Sequence, residues 1–161
     1  MIAAGQPCPM CEAPLALKRL EAFSGDEPPL RVTLRGMPAL ACGAPHIFFV
    51  RPKFALWLLD ELVARGEASV PGGVARGFAW WKRYSCGGCG APLRGSGGTL
   101  RNVHLALAFE DHGEFIATLS VPFQQCAACG REQARDAAAV RRLAPAALVH
   151  ALKEAGVKPP A

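Results

Sequence analysis

Cys86-Gly-Gly-Cys89-Gly90 and Cys126-Ala-Ala-Cys129-Gly130 are the stretches whose reading decides what this chain can fold into. Each places two thiols three residues apart. At that spacing a tight turn points both sulfurs at one cation, and the N–H groups of the turn hydrogen-bond the sulfurs. A glycine follows the second cysteine in both, where such a turn often needs positive φ. Together they form a four-cysteine set and predict a structural zinc site. The competing reading, a thioredoxin-like redox pair, needs one C-x-x-C at a strand-to-helix junction. Here three such pairs stand among Gly, Pro and strand-like alternation, which disfavours it.

The third pair is Cys8-Pro-Met-Cys11, and the seventh cysteine is Cys42. A fourth thiol spaced like the others would fall at position 45, which is Pro45, and His46 follows it. Cys42-Gly-Ala-Pro-His46 is a C-x3-H step, a spacing that zinc sites use. Cys8, Cys11, Cys42 and His46 then complete a second tetrahedral set, and the chain is expected to hold two structural zinc ions. The other reading is that His46 merely opens the strand His46-Ile-Phe-Phe-Val50 and leaves an open three-cysteine site. An odd cysteine count argues against a secreted disulfide framework. The opening Met1-Ile-Ala-Ala-Gly-Gln-Pro7 has no basic or apolar signal region, so a cytoplasmic location is expected.

Working outward from the cysteines, the chain reads as a repeat. The midpoint of Cys11 and Cys42 lies inside the turn-rich Ser24-Gly-Asp-Glu-Pro-Pro29. Leu15 to Phe23 and Leu30 to Leu40 then pair as a hairpin that brings both knuckles together, the plan of a zinc ribbon. The second unit turns at Asp111-His112-Gly113. Its expected register sets Phe109 opposite Phe115, Leu107 opposite Ala117, Leu105 opposite Leu119 and Val103 opposite Val121. That register makes one face wholly apolar and leaves Glu110 facing Glu114 at the tip. Gly90 to Gly98 reads as an inserted loop, and both units carry Ala-Pro-Leu after the first knuckle, at 13–15 and 91–93.

Between the units, Pro52 and Gly66 bracket a helix. Phe54, Ala55, Leu56, Leu58, Leu59, Leu62 and Val63 form its apolar arc, and Trp57 falls on the charged side with Lys53, Asp60 and Glu61. There Trp57 is either a partner anchor or a residue covered by the second unit. After Cys129, residues 131–143 and 145–155 read as two short helices, followed by a frayed tail from Lys158. The expected organisation is a small metal-stabilised α+β protein: ribbon 1 over 1–51, connecting helix and linker over 52–77, ribbon 2 over 78–130, and C-terminal helices over 131–161.

Residues 8–50 resemble the YgiT-type zinc-finger domain found at the N-terminus of MqsA-like antitoxins. The resemblance rests on Cys8-Pro-Met-Cys11, Arg31-Val-Thr-Leu-Arg-Gly36 and Met37-Pro-Ala-Leu-Ala-Cys42. It implies structural zinc, a hairpin and contact with a partner protein. In that family DNA binding belongs to a separate helix-turn-helix domain, of which this sequence shows none, and the second knuckle departs from the family by reading C-x3-H. The second unit resembles zinc ribbons generally.

Composition narrows the function classes. Hydrophobic residues at 51% and charged residues at 19% suit a folded core, and 17 Gly with 14 Pro suit short elements with many turns. No apolar run is long enough to span a bilayer, so no membrane partner is expected. The formal net charge of +5 falls to about +2 once seven thiolates and two divalent ions are included, a weak field for a polyanion. A local case for nucleic acid remains at Trp80-Trp81-Lys82-Arg83-Tyr84, where aromatics could stack on bases beside cations. The competing reading is a strand with Phe78, Trp80 and Tyr84 facing the core. For an enzyme, Pro7-Cys-Pro-Met-Cys11 and His112-Gly-Glu114 each match half of a zinc-deaminase signature, but in reversed order. The sequence therefore predicts a non-catalytic double zinc-ribbon protein that serves as an interaction or regulatory module and contacts another protein or itself. Nucleic-acid binding is the runner-up and an open three-cysteine zinc enzyme the second alternative. Trp57, Trp81, Lys82 and Arg83 are the candidate contact residues.

Overall fold

Two chain reversals, at Pro28-Pro29 and at residues 109–113, organise the strands. The computed structural model describes residues 3–95 and 97–159; Ser96 of the predicted loop and Pro160 and Ala161 of the predicted tail lie outside them. The first reversal joins β2 (Phe23–Glu27) to β3 (Leu30–Arg35), with Phe23 opposite Leu34 and Glu27 opposite Leu30. The ladder continues through the Leu20 N–H, which donates to the Met37 carbonyl at 3.0 Å, into β1 (Ala16–Arg19) and β4 (Pro38–Ala41). The hairpin expected between the knuckles is present, but its turn is confined to Pro28-Pro29, at the end of the predicted turn cluster. Ser24 to Glu27, read as part of the turn, form a strand. Cross-strand pairs hold them there: the Ser24 and Thr33 hydroxyls at 2.7 Å, and the Arg31 guanidinium on Asp26 at 2.6 Å.

This hairpin divides between two sheets. Its outer half joins β5 (Ile47–Phe49) and β11 (Val157–Lys158) in the order β1-β4-β5-β11. Its inner half joins the second hairpin, β8 (Thr99–Ala108) with β9 (Glu114–Gln125). There Leu107 faces Phe115, Leu105 faces Ala117 and Val103 faces Leu119. The register differs by two residues from expectation, because a 3-10 turn over Glu110–His112 takes those residues out of the ladder. Glu114 faces Ala108, so the expected Glu110–Glu114 repulsion does not arise. A shift of two preserves the faces. Leu105, Leu107, Phe109, Phe115, Ala117, Leu119 and Val121 are all buried, as the alternation requires.

β9 carries β8 along one edge. On the other edge it carries β3 at residues 116–120 and β10 (Glu132–Ala134) at residues 123–125. The two halves are therefore not separate ribbons joined by a linker: they share a sheet, and one core cluster runs from Cys8 to Leu148. Arg19 fastens the hairpins further by donating to the carbonyls of Gly36, His112 and Glu114.

Two helices cover the apolar face of this sheet. α1 (Phe54–Ser69) buries Phe54, Leu58, Leu62 and Gly66, while Leu56, placed in the apolar arc from sequence, is exposed. The helix passes through Gly66 instead of ending before it. A β-carbon there would lie 2.6 Å from Leu119 Cδ1 and 3.1 Å from Val140 Cγ1, so this glycine permits close packing and caps nothing. Trp57 is half-buried, its ring 4.8 Å from Phe109 and 5.5 Å from Phe54. It belongs to the aromatic core between α1 and β9. α2 (Ala139–Glu154) replaces the two short helices expected, with Pro145 inside it. Ala139, Val140 and Ala144 before the proline and Ala147, Leu148 and Ala151 after it are all buried, which keeps the helix continuous past the lost hydrogen bond. Val157 and Lys158 pair with Ile47 and Phe48 and do not fray. The predicted linker contains β6 (Val74–Arg76), paired with β7 (Arg83–Ser85) around a 3-10 turn over Ala79–Trp81. Phe78 and Trp80, which the competing reading turned towards the core, are exposed there. Among the described residues no helix is long and apolar enough to cross a membrane.

The approach of α2 to β2 rests on Gly25, where a β-carbon would overlap the Ala147 carbonyl oxygen and the backbone of Ala151. Gly25→Ala should cost about 1–3 kcal/mol in denaturant unfolding. Gly43→Ala, with nothing near its β-carbon, should change stability by less than about 0.5 kcal/mol. Equal effects would show that this contact does not govern the packing.

Candidate metal centres

Three of the four knuckles have the same backbone pattern. The N–H of the first cysteine donates five residues ahead, and its carbonyl accepts from four residues ahead. Cys8 is bonded in this way to Ala13 and Glu12, Cys86 to Ala91 and Gly90, and Cys126 to Arg131 and Gly130, at 2.7–2.9 Å. The turn forces positive φ on the residue after the second cysteine: 61° at Glu12, 75° at Gly90 and 76° at Gly130. The two Ala-Pro-Leu segments are also equivalent. Pro14 bridges Pro7 and Pro92 bridges Ser85, while the Leu15 and Leu93 amides donate to the Gln6 and Tyr84 carbonyls. The fourth knuckle is closed differently, by the His46 N–H on the Ala44 carbonyl at 2.8 Å.

These turns gather the eight predicted ligands into two groups of four, Cys8, Cys11, Cys42 and His46, and Cys86, Cys89, Cys126 and Cys129. Within each group the ligand atoms lie within 4.8 Å of one another. Four sulfurs held at about 2.3 Å from a tetrahedral ion stand about 3.8 Å apart, and a sulfur and a nitrogen about 3.6 Å apart. Cys86 and Cys129 sulfurs are 3.6 Å apart, Cys89 and Cys126 3.7 Å, and Cys11 and Cys42 3.6 Å. Nδ1 of His46 is 3.6 Å from the Cys8 sulfur and 3.5 Å from the Cys42 sulfur. Both groups have the size and donor chemistry to hold a tetrahedral metal ion. All seven cysteines are free thiols.

In each group the first cysteine of a knuckle is buried, whereas Cys11, Cys89 and Cys129 are exposed. Cys8 and Cys42 belong to the main core, and Cys86 and Cys126 form a small cluster of their own with Leu93. A residue the sequence did not signal supports the second centre. Gln133, on β10, is fully buried; its amide nitrogen donates to the Cys86 sulfur at 3.0 Å and its oxygen accepts from the Gly87 N–H at 2.9 Å. With the amides of Cys89 and Gly88 this draws the metal-free Cys86 thiol down to about 5, against the effect of burial. Cys129 is pushed up to about 11. The Arg131 amide favours its thiolate, but the sulfurs of Cys89 and Cys86 and burial outweigh that. A cation must displace the Cys129 proton to bind there, so metal affinity falls as the pH is lowered.

The remaining candidates are placed elsewhere. Trp57 lies in the aromatic core, while Trp81, Lys82 and Arg83 share the β6–β7 hairpin. Neither metal group includes His112 or Glu114, so the two halves of the deaminase-like signature are not brought together.

Gln133→Leu should weaken metal binding at the second centre by about 10–100-fold in chelator competition and leave the first unchanged. Glu12→Gly relieves a left-handed non-glycine residue and should raise the melting temperature by a few degrees, worth about 1 kcal/mol. A lower melting temperature would mean that the Glu12 side chain contributes more than its backbone costs.

No family model matches the sequence, and no curated protein and no solved structure is similar to it.

Proposed function

We propose that this chain is a non-catalytic zinc protein, a pair of fused zinc-ribbon-like hairpins whose metal centres hold interaction surfaces in place for another macromolecule. The observation that carries the reading is closure: each centre offers four protein ligands, three or four of them thiols, at tetrahedral spacing. A catalytic zinc site keeps one position for water or substrate, and thiolate-rich four-ligand sets are those of structural zinc. The proximity of His46 Nδ1 to two thiols supports closure of the first site and argues against the open three-cysteine alternative. Thiols that must stay reduced suit a reducing compartment. The partner in this reading is another protein or a second copy. Nucleic-acid binding is a second reading, favoured by the exposed Phe78, Trp80 and Trp81 beside Lys82 and Arg83.

Protein purified without added metal should carry about two equivalents of zinc. X-ray absorption should report sulfur and nitrogen ligands only. About one equivalent would remove His46 from the first set, and a water oxygen at either ion would move the protein towards catalysis. Cys86→Ser should lower the thermal midpoint, and an unchanged midpoint would show that the second centre is not structural.

A further inference from the structure

The β6–β7 hairpin is the least economical feature of the molecule if it has no partner. Val74, Ala75 and Arg76 are all exposed, so the two-stranded ribbon covers nothing with its first strand. At its apex the Trp81 N–H closes on the Phe78 carbonyl at 3.1 Å, and Phe78, Trp80 and Trp81 are 86%, 92% and 74% exposed. Three large aromatics in four residues left in water mark a contact surface. Its charge is equally one-sided. Arg76 and Arg83 face each other across the ribbon and Lys82 follows the apex. None of the three takes part in an ion pair among the described residues. From position 68 to position 109 the sequence holds no Asp or Glu, while Arg76, Lys82, Arg83, Arg94 and Arg101 fall in that span.

The base of the ribbon is rigidly held. The Gly73 N–H donates to the Ala134 carbonyl at 2.8 Å, Ser85 bridges to Pro92, and the Arg135 guanidinium sits 4.7 Å above the Tyr84 ring. Cys86, the first ligand of the second centre, follows Ser85 directly. A metal-anchored base, a cationic stem and an aromatic apex therefore stack in that order.

We propose that this hairpin binds single-stranded nucleic acid, with Phe78, Trp80 and Trp81 as stacking platforms for bases and Arg76, Lys82 and Arg83 contacting phosphates. Flat rings next to unpaired cations match a polymer that alternates flat bases with anionic phosphates. A duplex hides its base faces, so the rings select an unpaired strand. The apex has few groups that could read base edges, so recognition is tolerant of sequence. A second copy of the hairpin would bring like charges together, which disfavours self-association through it. The inference rests on the non-catalytic zinc reading above with its second, nucleic-acid, choice of partner at this surface, because the second metal centre fixes the ribbon's base.

The test uses the full metal-loaded chain and fluorescently labelled oligonucleotides of about 12 dT or rU residues, read by anisotropy. Binding should be seen at low salt, with a slope of log K against log salt of about −2, as three phosphate contacts on a single strand imply. Trp80→Ala with Trp81→Ala should weaken it at least about tenfold, and the two Trp→Phe changes should retain most of it. Arg76→Gln, Lys82→Gln and Arg83→Gln together should weaken it and flatten the salt slope. Metal content and melting temperature of these variants should be unchanged, since the altered side chains are exposed. Absence of low-salt binding, equal affinity for a duplex of the same length, or insensitivity to the Trp→Ala changes would overturn the proposal. So would partition onto phosphatidylserine vesicles in place of the oligonucleotides. A zinc content far below two equivalents would instead count against the structural-zinc reading, so the two failures are distinguishable.

Discussion

Pairing of β3 with β9, from Arg31 opposite Ser120 to Arg35 opposite Ile116, is the interaction on which the rest of the structure depends. It turns two hairpins into one sheet with a continuous apolar face, formed by Leu30, Val32 and Leu34 from one and Leu105, Leu107, Ala117 and Leu119 from the other. The joined face seats both helices, α1 along the Phe54, Leu58, Leu62 and Gly66 line and α2 along its alanines. The alanines and Gly25 let α2 lie almost on the strand backbone, which shows how closely the layers are matched.

This arrangement changes what the metal centres have to do. Two independent ribbons would need metal in place of cores too small to stabilise themselves. Here one core already joins the halves and takes in Cys8 and Cys42, while Cys86 and Cys126 form a separate small cluster with Leu93. One thiol of each Cys-x2-Cys pair is buried and the other exposed. Metal held there would act locally, closing the knuckle ends of each hairpin and, at the second centre, the base of the β6–β7 ribbon. Gln133 connects these levels, since a buried amide on β10 holds both a ligand sulfur and the knuckle backbone.

Much of the candidate site was legible in the sequence because it depends on spacing. Two thiols three residues apart impose one local turn, and the eight ligands predicted from Cys-x2-Cys and Cys-x3-His steps are the eight gathered in two groups. The alternation of β8 and β9 was legible for the same reason: a period of two assigns faces, so the apolar set was identified even though the register differed by two. Long-range complements such as Gln133 gave no signal, because nothing in Arg131-Glu-Gln-Ala134 marks one side chain as aimed at a sulfur from a segment more than forty residues earlier.

The sequence by itself determined the ligand sets, the two hairpins, the central helix and the buried faces of the strands, all properties of residues close in the chain. Only tertiary structure decided that the hairpins share a sheet, that α1 continues through Gly66, that Pro145 sits inside a single helix and that Trp57 is covered while Phe78 and Trp80 are not. Each of these depends on what a distant segment places against the residue in question. A glycine reads as a helix end until a leucine and a valine from elsewhere need the space of its missing β-carbon.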